Sequence, residues 1–292
     1  MKKLTDVKHW EDVYETSDTG TRPKISTSKS KTFLRSMLGP KVMDLLKPYG
    51  DYLLWDVFYR KYLASFKNRK AIEIGSAPGT SMVRLRDEFG IIPFGVEYTE
   101  KGANLNRAVF AANDIAESNL IQADFFSDEF QNTHKERFDL VVSRGFIEHF
   151  TDAGKVIEKH LAVLKDGGLL VVMIPNLRGI YFSWTALFNP DQLPLHNLEI
   201  MKKIEFQKLF EDKELTPLYC NYYGTFNFWM FTSRQGSPMR HVIKILLIVQ
   251  RVLNLMFRLL FRDKGCESAF FSPDLIYIGI KKGSIPGKPT AE

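Results

Sequence analysis

KAIEIGSAPGT, residues 70–80, decides the fold. It is a short apolar run carrying one acid, Glu73, that breaks at Gly75 into a turn of Ser76, Ala77, Pro78 and Gly79. A run of that length closed by a glycine reads as a buried strand ending in a βα turn. The pattern then repeats downstream. SMVRLRDEF is helix-like, IIPFGVE (91–97) strand-like, and Lys101 to about Asn113 helix-like. LIQAD (120–124) and FDLVVS (138–143) read as strands, VIEKHLAVLK (156–165) as a helix, and LLVVMIP (169–175) as a strand after the turn Asp166-Gly167-Gly168. IEFQKLFEDKEL (204–215) adds a helix, LYCNYYGTFNF a sixth strand and LIYIGIKK (275–282) a seventh. Short strands alternating with helices predict an α/β fold, a doubly wound seven-stranded, mostly parallel sheet with helices on both faces. The expected organisation is an N-terminal helical extension over 1–66, a core over 67–232, a basic helical insertion over 233–265, the last core strand within 266–283 and a disordered tail over 284–292.

The 292 residues are 45% apolar and 13% aromatic, enough to build a core. Two cysteines, Cys220 and Cys266, cannot make a disulfide framework or a four-thiolate zinc site, so reduced thiols and a cytoplasmic setting are expected. The charged opening MKKLTDVKHWEDVYE has no apolar segment of the secretory kind, and the charge-free run 215–233 is broken by Pro217, Gly224 and several polar residues, so no ordinary spanning helix is expected. The net charge is +6, and the seven cations of residues 233–265, set against Asp263 alone, account for all of it. A nucleic-acid-binding surface would spread its cations over the fold, so no nucleic-acid partner is expected.

In a doubly wound sheet ligands sit beyond the carboxyl ends of the strands, and the first βα turn is the usual place. The turn at 75–80 lacks the lysine that a phosphate-cradling P-loop needs after its last glycine. It also departs from the dinucleotide fingerprint, with Ala77 in place of the second glycine and Pro78 offering no N–H. Glu73 just before the loop would repel a pyrophosphate and attract a cation. A ligand cationic at one end and a nucleoside at the other fits, and S-adenosylmethionine is such a ligand.

Residues 70–175 resemble the class I S-adenosylmethionine-dependent methyltransferases. EIGSAPGT resembles the family's first motif, Glu97 in GVEYTE falls 22 residues after Gly75 where the family places its ribose acid, and QADFF (122–126) resembles the adenine motif. FDLVVSRGFIEHF (138–150) and LKDGGLLVVMIPN (164–176) resemble the fourth- and fifth-strand motifs. The resemblance implies cofactor contacts from Glu73, Gly75, Ser76, Gly79, Glu97, Tyr98, Asp124, Phe125 and Ser143. Trp10 and Tyr14 resemble the aromatic start that folds over the cofactor in many members.

Methyl transfer from a sulfonium is a direct displacement, so the protein mainly aligns the nucleophile and removes its proton. In relatives resembling the ubiquinone-biosynthesis methyltransferases, E-x-x-E-H after the fourth strand is associated with a divalent cation; here Gly145 replaces the first acid, and no metal ligand set is read from the sequence. The candidate catalytic residues are His149 with its neighbour Glu148, and His196 in LPLHNLE on the loop after the fifth strand. Arg178, Tyr181 and Trp184 are candidates for the acceptor wall. His9, His134, His160 and His241 are expected at the surface. An oxygen nucleophile is favoured because the N-P-P-Y/F type tetrapeptide of many amine and amide methyltransferases is replaced by Ser143-Arg144-Gly145-Phe146. Two other classes remain open: a noncatalytic cofactor-binding or scaffold protein of this fold, and an NAD-dependent oxidoreductase.

RHVIKILLIVQRVLNLMFRLLFR, residues 240–262, predicts a helix about 34 Å long in which Lys244, Arg251 and Arg258 fall nearly on one line and most other residues are apolar. Arg251 at a bilayer centre would cost about 2.5–3.5 kcal/mol, so the expected pose is flat on an anionic membrane surface, the enzyme lying peripheral on its inner face. Burial against the fold or in a homodimer is the alternative. The expected acceptor is a small molecule, a lipid or a lipid-linked glycan, and the membrane pose points to a lipid or lipid-linked one.

Overall fold

The computed structural model describes residues 2–18 and 47–283. The expected tail over 284–292, and residues 19–46 of the expected N-terminal extension, lie outside the described residues. Seven strands form one sheet in the order β3-β2-β1-β4-β5-β7-β6. They are β1 (Lys70–Ile74), β2 (Ile92–Glu97), β3 (Leu120–Gln122), β4 (Phe138–Arg144), β5 (Leu164–Pro175), β6 (Leu215–Tyr223) and β7 (Asp274–Lys281). β1 to β5 run parallel, and β7 enters antiparallel between β5 and β6.

β1 is buried from Ala71 onward because it lies at the middle of the sheet, where its apolar side chains face opposite layers in turn. Ile72 and Ile74 join Val141, Leu170 and Val172 in one core layer, against α6 (Ala153–Val163) and α8 (Lys203–Glu211). Ala71, Leu140, Val142, Val171 and Ile276 form the other layer. On that side pack α3 (Thr80–Phe89), α4 (Glu100–Ala111) and α2, a continuous helix made of Tyr49–Tyr52, a π-helical Leu53–Tyr59 and Arg60–Leu63. α1 (Val7–Asp18) lies against α4, and α5 (Asp128–Thr133) and α7 (Ile180–Phe188) follow β3 and β5. β5 begins earlier than the sequence pattern implies, because Leu164 already pairs with Phe138 and the Asp166-Gly167-Gly168 turn becomes an irregularity within the strand.

The register places the site. Ile74 of β1 pairs with Val96 of β2 and with Ser143 of β4, so these three strands end at one level. The sheet order reverses between β1 and β4, and the crevice opened there is where doubly wound sheets bind ligands.

α9 (Met239–Phe261) is the insertion between β6 and β7. Its orientation differs from the usual amphipathic arrangement. Gln250 is its one buried residue, accepting from Phe228 N at 2.9 Å and donating to Asn254 at 3.0 Å, and Phe257 and Phe261 touch the core. Arg258 leaves the expected cationic line and turns inward against the Tyr52 ring and toward Asp263. Val242, Ile245, Ile248, Val249, Val252, Met256, Leu259 and Leu260 are all exposed, Val252 at 69%.

Candidate functional site

A cavity of about 220 Å³ opens at the level strand ends, walled by Gly75 and Ala77 after β1, Val96 to Tyr98 after β2, and Arg144 to Phe146 after β4. Gly75 takes φ +69° and its N–H, like that of Ser76, donates to Val96 O at 3.1 Å, which holds the loop against β2. A Cβ at Gly75 would stand 2.8 Å from the Phe146 ring.

Glu97 is the anchor of the site. It is buried, and its Oε1 accepts from Tyr98 N at 3.1 Å, Thr99 N at 3.0 Å and Thr99 Oγ1 at 2.7 Å. Those N–H groups belong to the entry into α4, whose N-cap is Thr99, so the carboxylate is fixed by an amino-terminal helix end. Its second oxygen, Oε2, has the Tyr14 hydroxyl at 3.5 Å. Asp124 also lines the cavity, where its Oδ1 accepts from Phe126 N at 3.0 Å. Phe125 presents a buried ring, braced by Phe130 and His160.

The amino-terminal segment forms the lid. Leu4 N donates to His149 O at 2.8 Å and Lys3 bridges to Phe150, stitching the segment to the chain after β4. α1 then carries Trp10 and Tyr14 over the cavity, with Trp10 edge-on to His149 at 4.9 Å.

Gly75, Glu97, Tyr98, Asp124 and Phe125 thus share one cavity, whereas Glu73, Ser76, Gly79 and Ser143 do not line it. Glu73 is buried below, facing the charge of Arg144, and burial raises its pKa to about 7. Ser76 is bonded to Asn106 at 2.5 Å and Gly79 makes room for that same asparagine, so both brace the loop. Ser143 is buried in the sheet. Sequence reading missed Arg144, half-buried in the cavity wall, donating to Ser81 Oγ at 2.6 Å and balanced by Glu73 and Asp274. Burial raises the Asp274 pKa to about 7 as well.

Glu148, His149 and His196 come together although the last is 47 positions from His149 in the chain. His149 Nε2 lies 3.6 Å from Glu148 Oε1, and the two imidazoles are 4.7 Å apart. Burial pushes the Glu148 carboxyl up to about 8. Burial, reinforced by His196, lowers His149 to about 3. Burial likewise holds His196 neutral by lowering its pKa.

Other expectations are corrected. His160 is fully buried against Phe125, its pKa lowered to about 4 by burial, and His134 is buried too; only His9 and His241 retain exposure. Tyr181 is a packing residue, its hydroxyl donating to Phe271 O and accepting from Asn227 N. Trp184 stacks on Phe231 and donates to Thr232 O, while Arg178 is half-buried.

Residues 65–215 match a sequence family described as a methyltransferase domain. The ubiquinone biosynthesis O-methyltransferase of Bradyrhizobium sp. (strain ORS 278) is 31% identical over 84 residues, covering 22% of this chain and 33% of that protein. The chain therefore spans about a third of the length of that curated relative. Among solved structures, a Bacillus halodurans C-125 protein assigned to the methyltransferases aligns at TM-score 0.53 and 17% identity, over 80% of this chain and 100% of its own. The geranyl diphosphate C-methyltransferase of Streptomyces coelicolor A3(2) aligns at TM-score 0.50 and 14% identity, over 89% of this chain and 86% of its own. At those identities the structural likeness speaks for the fold alone.

Two predictions follow from the geometry. Glu97→Ala removes a charged acceptor worth about 1.5–3 kcal/mol, so its Kd for S-adenosylmethionine should rise roughly 10- to 150-fold by calorimetry, and Gly75→Arg should show no binding. Unchanged affinity in both folded variants contradicts the site. The second concerns pH. Glu73 and Asp274 keep protons in the fold that the unfolded chain releases, so their raised pKa values make stability fall as pH rises through 7. The lowered histidines act in the opposite direction only below about pH 6.5, where the unfolded chain takes up protons. Between about pH 6.5 and 8 urea unfolding should show a decline that Glu73→Gln makes shallower; an equal slope in both proteins rejects this reading.

Proposed function

The chain belongs to the methyltransferase domain family, in the class I fold whose cofactor is S-adenosylmethionine, and we propose that it methylates an oxygen nucleophile on a lipid or lipid-linked acceptor at a membrane surface. The observation that carries the reading is the division of labour at Glu97. Oε1 is consumed by the start of α4, which leaves Oε2 for the ribose hydroxyls. The adenine would lie against Phe125 with Asp124 accepting from its exocyclic amine, and the loop at Gly75 would leave room for the methionine portion.

Transfer needs no activation of the leaving group, because a sulfonium departs as a neutral thioether. The acceptor oxygen must be aligned with the methyl carbon and lose its proton as the new bond forms. The group best placed for this is the cluster of Glu148, His149 and His196, since His149 lines the cavity under Trp10. The choice of oxygen draws on the name of the Bradyrhizobium relative and on the absence of an N-P-P-Y/F tetrapeptide.

α9 supports the membrane part. It presents eight exposed large apolar residues outward, with Lys244 and Arg251 exposed along one border of that face and Gln250 and Arg258 turned to the protein. Trp229, Phe182 and Leu187 add exposed apolar surface. Among the described residues no helix is long and apolar enough to cross a membrane. A helix lying at the acyl boundary removes such a face from water while its border cations reach anionic headgroups, each worth about 1 kcal/mol. A homodimer through the same face, or a scaffold role without turnover, are the readings that the tests separate.

In a methyl-transfer assay against lipid-extract acceptors, His149→Ala should lower turnover roughly 10²- to 10⁴-fold with cofactor affinity retained, the scale of general-base loss. Full turnover at every pH removes His149 from the chemistry, and cofactor binding with no turnover on any extract favours the scaffold. The full chain should float with anionic liposomes at low salt, while Ile248→Asp/Val252→Asp and Lys244→Glu/Arg251→Glu should remain at the bottom and still bind S-adenosylmethionine. A wild type that stays at the bottom, and sediments as a dimer that Ile248→Asp/Val252→Asp dissociates, assigns the face to a second copy instead.

A further inference from the structure

One donor atom from each of Glu148, His149 and His196 lies within 4.8 Å of the others, with Glu148 and His149 buried and His196 half-buried. Both imidazoles are locked. Nδ1 of His149 is 2.9 Å from Leu195 O, and Nδ1 of His196 is 2.8 Å from Gln192 O. A carbonyl oxygen only accepts, so each Nδ1 carries the proton and each Nε2 keeps its lone pair. That is the arrangement by which proteins orient imidazoles toward a cation. The backbone holds the two contributing turns together, with Asn197 N donating to Glu148 O at 2.7 Å.

The carboxylate is the second, independent sign. Glu148 Oε2 is buried and has no hydrogen-bond partner, a state that costs free energy unless something else satisfies the oxygen. Gly145 explains why no second acid stands beside it. Its φ is +64°, a conformation that disfavours any other side chain, and a Cβ there would come 3.4 Å from Glu148 Oε1. The space next to the carboxylate is therefore left to the imidazole that arrives from the loop after β5.

We propose that Glu148, His149 and His196 form a divalent transition-metal site at the rim of the cofactor cavity. Three ligands at about 2.1 Å from one ion stand no more than about 4.2 Å apart, so closing on it asks for side-chain movements below about 1 Å. Two imidazoles and one carboxylate suit zinc, manganese, iron(II) or cobalt, whereas magnesium and calcium prefer all-oxygen shells. Three protein ligands leave a position open, and His149 brings the site to the cavity that it lines. An ion there would act as a Lewis acid that favours ionisation of the acceptor hydroxyl, and only this consequence rests on the methyl-transfer reading.

The test measures the ion itself. Chelator-treated full-length protein is titrated with Zn²⁺ by calorimetry and with Co²⁺ by visible absorption. One ion per chain is expected. His196→Ala and Glu148→Gln should each weaken binding at least about 100-fold, beyond the 10- to 100-fold typical of an outer-shell partner. His196→Ala, whose residue lies outside the cofactor cavity, should keep its circular dichroism and its affinity for S-adenosylmethionine. If that variant does not fold, His196→Gln and Glu148→Gln carry the comparison. Absence of saturable binding in wild type, or equal affinity in wild type and folded variants, overturns the site. Ion binding without methyl transfer would leave the site standing and contradict the proposed function.

Discussion

The parallel register of β2, β1 and β4 is the constraint on which the rest depends. Because Ile74 is level with both Val96 and Ser143, three strands stop together and three backbone turns open at one height. Each turn then has a definite task. The first is kept thin by Gly75, the second delivers Glu97 to the start of α4, and the third turns through Gly145 to bring Glu148 and His149 beside the cavity. Interior polar groups are costly, so each must be satisfied by the fold or by a ligand. Glu97 Oε1 is satisfied by the fold; Glu148 Oε2 is not.

A half-buried arginine ties this layer to the antiparallel edge. Arg144 at the end of β4 sits among Glu73 of β1, Asp274 of β7 and Tyr59 of α2, and donates to Ser81 of α3. Removing any one partner would leave an uncompensated group in a low-dielectric interior, which costs more than the intact cluster contributes. The same antiparallel insertion of β7 creates the connection that carries α9. The edge of the sheet that completes the core thus also presents an apolar helix face outward.

What was legible in the sequence follows from range. Strand runs and their closing turns are local, so the order of elements could be read, and Glu97 and Asp124 could be picked out because acids at strand ends recur at family spacing. Glu73 and Ser143 were misplaced because period-2 alternation says that a strand residue changes face, not which neighbour it meets; both face into the interior. His160 and His134 were taken for surface residues because nothing local announces that Phe125, Phe130 and Phe138 will enclose them. The approach of His196 to His149 depends on the chain after α7 meeting the turn after β4, where Asn197 N donates to Glu148 O, and sequence spacing does not encode it. For α9 the amphipathic pattern was evident, but the pattern alone is symmetric with respect to which face turns inward. The hydrogen bonds of Gln250 decide that.

The most direct measurement of the central claim is a crystal structure of the full chain with S-adenosylhomocysteine. The account predicts both ribose hydroxyls on Glu97 Oε2, the adenine beside Phe125 with its amine on Asp124, and Trp10 and Tyr14 closed over the ligand. A ligand bound elsewhere, or one in this cavity with its ribose turned away from Glu97, would contradict it.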